Sequence, residues 1–295
     1  MSEKIRISEM FLSLQGEGLY TGKNTAWVRM LNCNLTCSGF FQKDPTNPET
    51  YVLPYEELDI SKITMVEELP VFETGCDSSY SWAKKYKHLI PLYDETEIAD
   101  KLEELVGGKF YVDSDTFVKN THLCFTGGEP LLKPNQKAII QILTELDKRN
   151  NLPKYITFET NSTTVLLPEF IEVVKKYQSK GIEFLASCSP KLFNVSGELN
   201  KRAWKHDVSF EYYKLFDKIT YKFVVNNNEE SWKELDDYIS KMKHKSSNIY
   251  VMPVGATLEQ QSTDVIAEIA KKALYRGFHV SGRLHCYMFG NGIGT

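Results

Sequence analysis

The regular alternation of strand-like and helix-like segments restricts the fold of this chain more than any other feature of its sequence. From residue 121 onward, short runs of β-branched and aromatic residues are followed by longer segments whose apolar residues recur with helical spacing. Such alternation builds β–α–β units around a parallel sheet. We therefore predict an α/β fold, with at least five repeats that fit a partial (β/α) barrel. The predicted strands are residues 25–31, 121–126, 155–160, 182–187, 218–225 and 248–253, and the predicted helices are residues 134–148, 168–178, 232–243 and 262–276, with an earlier helix around Ile98, Leu102 and Leu105.

Polar segments follow several of the predicted strands at the point where each strand ends. In barrels of this kind, ligands lie at the carboxyl ends of the strands. We therefore expect these segments to meet at one site. They are Gly127-Gly128-Glu129-Pro130, Glu159-Thr160-Asn161, Ser189-Pro190-Lys191 and Met252-Pro253.

Length and composition restrict the class of protein. A chain of 295 residues that is 42% hydrophobic can bury a large core, so we predict one domain over residues 1–295. A net charge of −4 offers no basic surface for nucleic acid, and no apolar run approaches the length of a membrane span. The N-terminal segment lacks the apolar region of a signal peptide, and six cysteines in a chain of this length do not indicate a secreted disulfide scaffold. We expect a cytoplasmic protein.

Two cysteines in the first part of the chain indicate a metal site. Cys33 and Cys37 are separated by three residues, as are the first two ligands in the motif C-x-x-x-C-x-x-C of radical S-adenosylmethionine (SAM) proteins. That motif would place a third cysteine at position 40, where this chain has Phe40. The next cysteine is Cys76, so we interpret residues 38–75 as an insertion between the second and third ligands. The spacing of Cys33 and Cys37 alone also fits a structural zinc site or a buried pair of thiols.

A glycine pair follows the predicted strand 121–126. The segment CFTGGEPLL places Gly127 and Gly128 at the end of that strand. Paired glycines allow the backbone to approach a ligand closely. The segment resembles the GGEP motif of radical SAM proteins, whose backbone meets the amino group of SAM. Alone it also fits an ordinary turn between a strand and a helix, but its position after the cysteines favours the radical SAM interpretation.

Arg29 is a charged residue within the otherwise apolar strand 25–31, shortly after the glycine-rich loop Gln15-Gly16-Glu17-Gly18. One interpretation is an edge position with the guanidinium in solvent. The other is a clamp for a carboxylate, because a guanidinium binds carboxylates through two parallel hydrogen bonds.

In combination, these motifs resemble the 7-carboxy-7-deazaguanine synthases, radical SAM enzymes of 7-deazapurine biosynthesis. The resemblance rests on SLQGEG from Ser13, WVRMLNCNLTC from Trp27, CDSSYSW from Cys76 and GRLHCYMFGNGIGT at the end. Between them FTGGEPLL, FETNST, SPK, KFVV and VMPVG match in order, so nearly the whole chain is covered. The insertion stretches the cysteine spacing, and Ser78 stands where the family has a threonine that binds Mg²⁺. Ser78 keeps the hydroxyl, so we expect Mg²⁺ binding to survive; the alternative is a hydroxyl that caps a backbone amide.

The resemblance implies a role for each matching residue. The 4Fe–4S cluster would be held by Cys33, Cys37 and Cys76, which leaves one iron free for the amino acid part of SAM. SAM would contact Gly75, Asp77, Gly128, Ser189, Pro190 and Lys191, and Mg²⁺ would contact Ser78. The pterin substrate would contact Leu14, Gln15, Gly16, Glu17, Arg29, Thr126, His285 and Thr295. The remaining cysteines, Cys124, Cys188 and Cys286, lie in apolar runs and are expected in the core.

The resemblance also implies the reaction. The enzyme would be a lyase that converts 6-carboxy-5,6,7,8-tetrahydropterin to 7-carboxy-7-deazaguanine with loss of ammonia, through a 5′-deoxyadenosyl radical made from SAM and with SAM regenerated. Its expected partners are an electron donor such as flavodoxin or ferredoxin and a second copy of the chain in a homodimer. Neither nucleic acid nor a membrane is expected as a partner.

Two other functions and one structural question remain open from the sequence. The chain could be a different radical SAM enzyme, such as a glycyl-radical activase, or a non-catalytic protein that binds a metal through cysteines. The insertion 38–75 contains four prolines and eight acidic residues against two lysines. It is predicted to be a loop with a short hairpin, either a lid or a solvated surface segment without a role.

Overall fold

The computed structural model describes residues 4–261 and 264–295. In this part of the chain the strands β1 to β11 are Ile5–Leu14, Asn24–Met30, Leu92–Tyr93, Tyr111–Asp113, Val118–Asn120, His122–Gly127, Tyr155–Thr160, Glu183–Cys188, Lys218–Val225, Ile249–Pro253 and His279–Val280. The helices α1 to α10 are Pro54–Glu57, Glu95–Leu105, Lys133–Lys148, Pro168–Gln178, Phe193–Ser196, Asn200–Ala203, His206–Leu215, Glu229–Ser240, Asp264–Tyr275 and Leu284–Phe289.

Nine of these strands form one sheet in the order β11-β10-β9-β8-β7-β6-β2-β1-β3. From β2 to β11 all neighbouring strands are parallel, whereas β1 is antiparallel to both β2 and β3. The predicted α/β fold with a largely parallel sheet is confirmed. Strands β3 and β11 each pair on one side only, so the sheet described here is open.

The two ends of the sheet approach each other at the carboxyl ends of its parallel strands. The amide of Leu284, shortly after β11, donates to the carbonyl of Gly16, just beyond β1, at 2.9 Å. The amide of Gly18 donates to the hydroxyl of Ser281, also at 2.9 Å. Because segments distant in the strand order meet here, polar residues from most of the sheet face one region.

The core between the sheet and its helices follows the predicted periodicity. Phe158 on β7 stacks between Phe125 on β6 and Phe184 on β8, with ring centroids 5.7 and 6.2 Å apart. One face of α3 buries Ile139, Ile142, Leu143 and Leu146. Among the described residues, no helix is both long enough and apolar enough to cross a membrane.

Several predicted elements agree with the structure residue for residue, namely 155–160, 168–178 and 218–225. The predicted helix 232–243 begins earlier, at Glu229, and ends at Ser240. The predicted start of the last long helix at Ser262 lies outside the described residues. Strand β1 and helix α7 were not predicted. In β1 the buried Glu9 interrupts the simple alternation of apolar and polar residues.

The insertion 38–75 closes on itself, because the amide of Gly75 donates to the carbonyl of Phe40 at 2.8 Å. The hairpin predicted there is wrong: residues 38–75 contain the short helix α1 and single helical turns, without a strand. Four prolines explain this, since proline cannot donate to a strand ladder. The insertion is more than a solvated excursion, because it supplies about half of a second small core, including Tyr55, Val66 and Phe72.

His122, at the start of β6, gives the fold a testable pH dependence. Its ring stacks on Tyr155 at 4.5 Å and meets the edge of Tyr20 at 4.9 Å. Burial, aided by Lys23, lowers the pKa of His122 to about 4. The unfolded chain takes up this proton below about pH 6.5, so the folded state loses stability as the pH falls from that value toward the lowered pKa.

We expect the free energy of unfolding to fall by about 2 kcal/mol more between about pH 7 and about pH 5 in the wild type than in His122→Phe, which keeps the ring stack. Urea unfolding of both proteins at the two pH values measures this difference. Equal losses in the two proteins would show that His122 is protonated as easily in the fold as in the unfolded chain.

Candidate functional site

A cavity of about 290 Å³ lies at the carboxyl ends of the parallel strands. Of the residues predicted for the site, its wall contains Leu14, Gln15, Glu17, Arg29, Cys33, Cys37, Gly75, Cys76, Asp77, Ser78, Thr126, Gly128, Ser189, Lys191, His285 and Thr295. Gly16 and Pro190 do not line it. The structure therefore brings almost the whole predicted set to one place.

The thiols of Cys33, Cys37 and Cys76 belong to this wall. Cys33 and Cys37 lie in the loop after β2, and Cys76 follows the insertion. All three join one small apolar cluster around Leu35, so the insertion returns the third cysteine to the first two. The other cysteines, Cys124, Cys188 and Cys286, are buried and do not line the cavity, in agreement with the prediction of core positions.

The loop between the first two cysteines is held by a buried carboxylate. One oxygen of Glu198 accepts the amide of Thr36 at 2.5 Å and the amide of Cys37 at 2.9 Å. Cys37 has a φ of 51°, a left-handed conformation that is strained for a residue with a side chain. Hydrogen bonds from successive amides to a carboxylate offset such strain, so Glu198 fixes the direction of the Cys37 thiol.

The three thiols fit an iron–sulfur cluster better than a single metal ion. Within residues 4–261 and 264–295, no three His, Cys, Asp or Glu side chains come close enough to hold one metal ion. A cluster binds each thiolate through a different iron, so it requires thiols around a common space. Burial raises the pKa of all three thiols, and binding to a metal would deprotonate them.

Gly128 lies against the cysteine loop at a place where no side chain fits. A Cβ on Gly128 would stand 2.2 Å from the carbonyl oxygen of Asn32 and 2.8 Å from Cβ of Cys33. The next amide, that of Glu129, donates to the same carbonyl of Asn32 at 2.8 Å. The glycine-rich turn after β6 therefore packs directly on the cysteine loop, which is more than an ordinary strand-to-helix turn requires.

The carboxylate of Glu129 joins the ends of β6 and β7. It accepts the hydroxyl of Thr160 and the amide of Asn161, each at 2.7 Å, and is fully buried. The side-chain amide of Asn161 donates to the side chain of Asn34, between the first two cysteines, at 2.9 Å. Glu129 is thus a structural residue that holds two strand ends and the cysteine loop together.

Arg29 lies on the cavity wall with its guanidinium anchored from behind. Its Nε donates to the carboxylate of Glu9, a residue that is 4% exposed, and the hydroxyl of Tyr80 donates to the same oxygen of Glu9 at 2.6 Å. Within the described residues, the two terminal nitrogens of Arg29 make no hydrogen bond. This arrangement excludes the alternative of an edge position with the guanidinium in solvent. The two terminal nitrogens remain available to a ligand.

A second group of buried charged side chains forms a hydrogen-bonded network in the cavity wall. Lys222 on β9 donates to Glu17 and, at 3.0 Å, to Glu159 on β7. Arg283 donates to Glu17 at 2.9 Å and to Asp77 at 2.7 Å. Burial by itself would raise the pKa of Glu17, but Lys222 and Arg283 outweigh it and hold that pKa well below its usual range. The predicted ligand contacts Glu17 and Asp77 are therefore ionised and already oriented.

Other predicted contacts lie around this network. The ring of His285 occupies the space beside Gly16, where a Cβ would meet its Nδ1 at 1.8 Å. Burial lowers the pKa of His285 to about 4, so the imidazole is neutral at physiological pH. Lys191 donates to the hydroxyl of Ser189 at 2.9 Å, and its ammonium faces the cavity. Thr295 lies at the cavity rim.

Sequence reasoning gave no role to several residues that shape this site, among them Glu9, Lys222 and Arg283. Lys222 carries a signal that could have been used, because it is a charged residue in the middle of a largely apolar strand. Arg283 lies within the matched segment GRLHCYMFGNGIGT. Glu9 has no comparable signal, since only the pairing of β1 with β2 places it beside Arg29.

Comparison with known proteins finds relatives that align with most of this chain. No family model matches the chain. The 7-carboxy-7-deazaguanine synthase of Pyrobaculum aerophilum is 23% identical over 99% of this chain and 97% of its own length. The synthase of Rhodopirellula baltica is 24% identical over 98% of this chain and 88% of its own. The synthase of Clostridium acetobutylicum is 25% identical over 84% of this chain and 81% of its own.

A solved structure shares the fold. The crystal structure of QueE from Escherichia coli superposes with a TM-score of 0.51 and 16% identity, covering 96% of this chain and 95% of that one. At this identity the likeness concerns the fold alone. The relatives that align over most of their length provide the evidence on family. They confirm the resemblance of this chain to the 7-carboxy-7-deazaguanine synthases over nearly its whole length.

Proposed function

We propose that this chain is a radical SAM lyase that converts 6-carboxy-5,6,7,8-tetrahydropterin to 7-carboxy-7-deazaguanine and ammonia. One observation carries the proposal: three cysteine thiols, the Gly128 turn and the anchored fork of Arg29 line a single cavity. The near full-length similarity to 7-carboxy-7-deazaguanine synthases supports it. The open, curled parallel sheet suits the partial-barrel core of radical SAM enzymes.

The roles of the cavity residues follow their positions. Cys33, Cys37 and Cys76 would hold the 4Fe–4S cluster. SAM would lie against the neighbouring residues Gly75, Asp77, Gly128, Ser189 and Lys191 of the cavity wall, and Pro190 would hold the last two in place from outside that wall. When bound, the cluster and SAM supply the radical chemistry, and the protein supplies orientation and exclusion of water.

The substrate would occupy the part of the cavity nearest β1 and β2. The terminal nitrogens of Arg29 would hold the substrate carboxylate, because a guanidinium fork matches a carboxylate in two parallel hydrogen bonds. Glu17 would accept from the guanidine-like edge of the pterin, since each of its oxygens can accept more than one hydrogen bond. Further contacts would come from Leu14, Gln15, Thr126, His285 and Thr295, and Gly16 would leave room for the ring of His285.

Two alternatives are less well supported. A glycyl-radical activase acts on a protein chain, which leaves the anchored carboxylate clamp at Arg29 unexplained. A single-ion zinc protein would require cysteine ligands around one point, an arrangement not found among the described residues.

Anaerobic reconstitution with iron and sulfide tests the proposed function. The account expects a brown protein with broad absorbance near about 400 nm that consumes the carboxylated pterin only when SAM is present. A colourless protein that binds one zinc ion per chain would replace the proposal with the metal-binding alternative.

Magnesium is the third proposed component. The hydroxyl of Ser78 lines the cavity, 3.5 Å from the thiol of Cys76, and makes no capping hydrogen bond to the helical turn that follows it. Mg²⁺ prefers oxygen ligands and commonly keeps several waters, so one hydroxyl plus substrate oxygens can bind it.

We expect Ser78→Ala to lose most of the stimulation of turnover by Mg²⁺ and Ser78→Thr to retain it. Titrating Mg²⁺ into each metal-depleted, reconstituted protein measures the effect. An unchanged Mg²⁺ dependence in Ser78→Ala would exclude the hydroxyl as a ligand.

We further propose that the enzyme is cytoplasmic and acts as a homodimer. Sedimentation analysis of the reconstituted protein tests the oligomeric state. An electron donor such as flavodoxin or ferredoxin would reduce the cluster, and the product would enter 7-deazaguanine biosynthesis.

A further inference from the structure

A basic surface lies directly outside the cysteine loop, and we propose that it docks an acidic one-electron carrier protein. The surface is formed by Leu199, Lys201, Arg202 and Lys205, called here the basic patch. The proposal rests on the proposed function, because only a reducible cluster requires such a carrier. In the step concerned, the carrier loses one electron and the cluster gains it, without making or breaking a covalent bond.

The basic patch touches the segment that carries two of the proposed cluster ligands. The guanidinium of Arg202 donates to the carbonyl of Asn34, between Cys33 and Cys37, at 2.6 Å. Next to it, Ala203 and Trp204 pack in the same apolar cluster as Cys37. About one layer of side chains therefore separates this surface from a thiol of the cluster site.

The charge of the basic patch differs from that of the whole chain. The chain has a net charge of −4, and the insertion carries eight acidic residues against two lysines. Lys201, Arg202 and Lys205 are all exposed, and neither lysine forms an ion pair with a carboxylate within the described residues. Lys241 lies 5.5 Å from the ring of Trp204 but pairs with Asp237 at 2.6 Å, so the net positive charge rests on Lys201 and Lys205. An acidic partner would be attracted to this side of the cysteine loop.

The basic patch also contains an exposed apolar side chain. Leu199 is 59% exposed between the buried Glu198 and the basic residues. A small apolar contact surrounded by charges is typical of transient complexes, in which charge sets orientation and association rate. None of the four patch residues lines the cavity, so a carrier bound here would leave the cavity free for SAM and substrate.

The test reverses charge at the basic patch while sparing Arg202, which supports the cysteine loop. The variant is Lys201→Glu with Lys205→Glu. Its matched control is Lys137→Glu with Lys175→Glu, two exposed lysines on α3 and α4 with the same change in charge. Calorimetric titration with an oxidised acidic flavodoxin measures affinity without turnover, and stopped-flow bleaching of the cluster by the reduced flavodoxin measures electron transfer.

At low ionic strength we expect the patch variant to bind at least about tenfold more weakly and to be reduced more slowly, as charge-steered association requires. The control should match the wild type, and high salt should remove the difference. Dithionite, which needs no docking, should bleach the cluster equally in all proteins. Equal affinities in variant and control, or salt-independent binding, would overturn the docking proposal. A wild type that holds no cluster would instead contradict the proposed function.

Discussion

Cys76→Ala is expected to leave the reconstituted protein almost without a cluster and without activity. The insertion closes through Gly75 and Phe40 and delivers the Cys76 thiol to the wall shared with Cys33 and Cys37. Phe40 stands at the position where a shorter motif would have its third ligand, so no nearby thiol can substitute. Iron and sulfide content after anaerobic reconstitution, together with absorbance, measures the loss.

Cys124→Ala is the matched control for that experiment. It removes a fully buried thiol from β6, away from the cavity wall, and should keep the full complement of iron. A Cys76→Ala protein with the iron content and activity of the control would show that the cluster is ligated by other residues, and that the insertion does not supply the third ligand.

The second large effect is expected at Arg29. If its fork holds the substrate carboxylate, Arg29→Lys should raise the KM for the pterin, because an ammonium cannot form the two parallel hydrogen bonds. Arg29→Ala should raise it further. Removing one partner of a buried charged pair costs about 3–5 kcal/mol, which corresponds to roughly a hundredfold or more in affinity. Steady-state kinetics with varied pterin measures both variants.

A substitution at Arg29 is expected to change the stability of the fold as well as the affinity for substrate, and the experiment must separate the two effects. Arg29→Ala also leaves the buried carboxylate of Glu9 without its guanidinium, so the fold itself should lose stability. The double variant Glu9→Gln, Arg29→Gln removes both charges and should recover part of the stability lost in Arg29→Ala. It should not recover the affinity for substrate, because the fork is still missing.

A substrate analogue without the carboxylate distinguishes binding from stability. The wild type should bind it poorly, and Arg29→Ala should lose little more. If Arg29→Ala weakens the analogue and the substrate by the same factor, Arg29 is a structural partner of Glu9 and the clamp is wrong.

Local patterns in the sequence predicted the parallel half of the fold well. Strand 218–225 and helix 168–178 agree residue for residue, because each is a long segment with one clear period. The insertion was harder, since short helical turns have no period to detect. The hairpin predicted there was wrong, whereas the bounds of the insertion, residues 38–75, followed from the positions of Cys37 and Cys76.

The candidate site also contains residues that the sequence predicted and residues that it did not. The residues predicted to contact ligands sit in short motifs, and the structure places nearly all of them on the cavity wall. Residues that hold those motifs come from far along the chain: Glu198 binds the amide of Cys37 across 161 positions, and Lys222 binds Glu17 across 205. Such partners are set by tertiary packing, so no local pattern in a single sequence reveals them.

The product of the reaction tests the central claim most directly. Reconstituted protein, reductant, SAM, Mg²⁺ and 6-carboxy-5,6,7,8-tetrahydropterin would be incubated without oxygen and the mixture analysed by mass spectrometry. The account predicts a product lighter than the substrate by one ammonia, identical to 7-carboxy-7-deazaguanine, and absent when SAM is omitted or Cys76 is replaced by alanine. Cleavage of SAM with the pterin left unchanged would contradict it and would identify a radical SAM enzyme with another substrate.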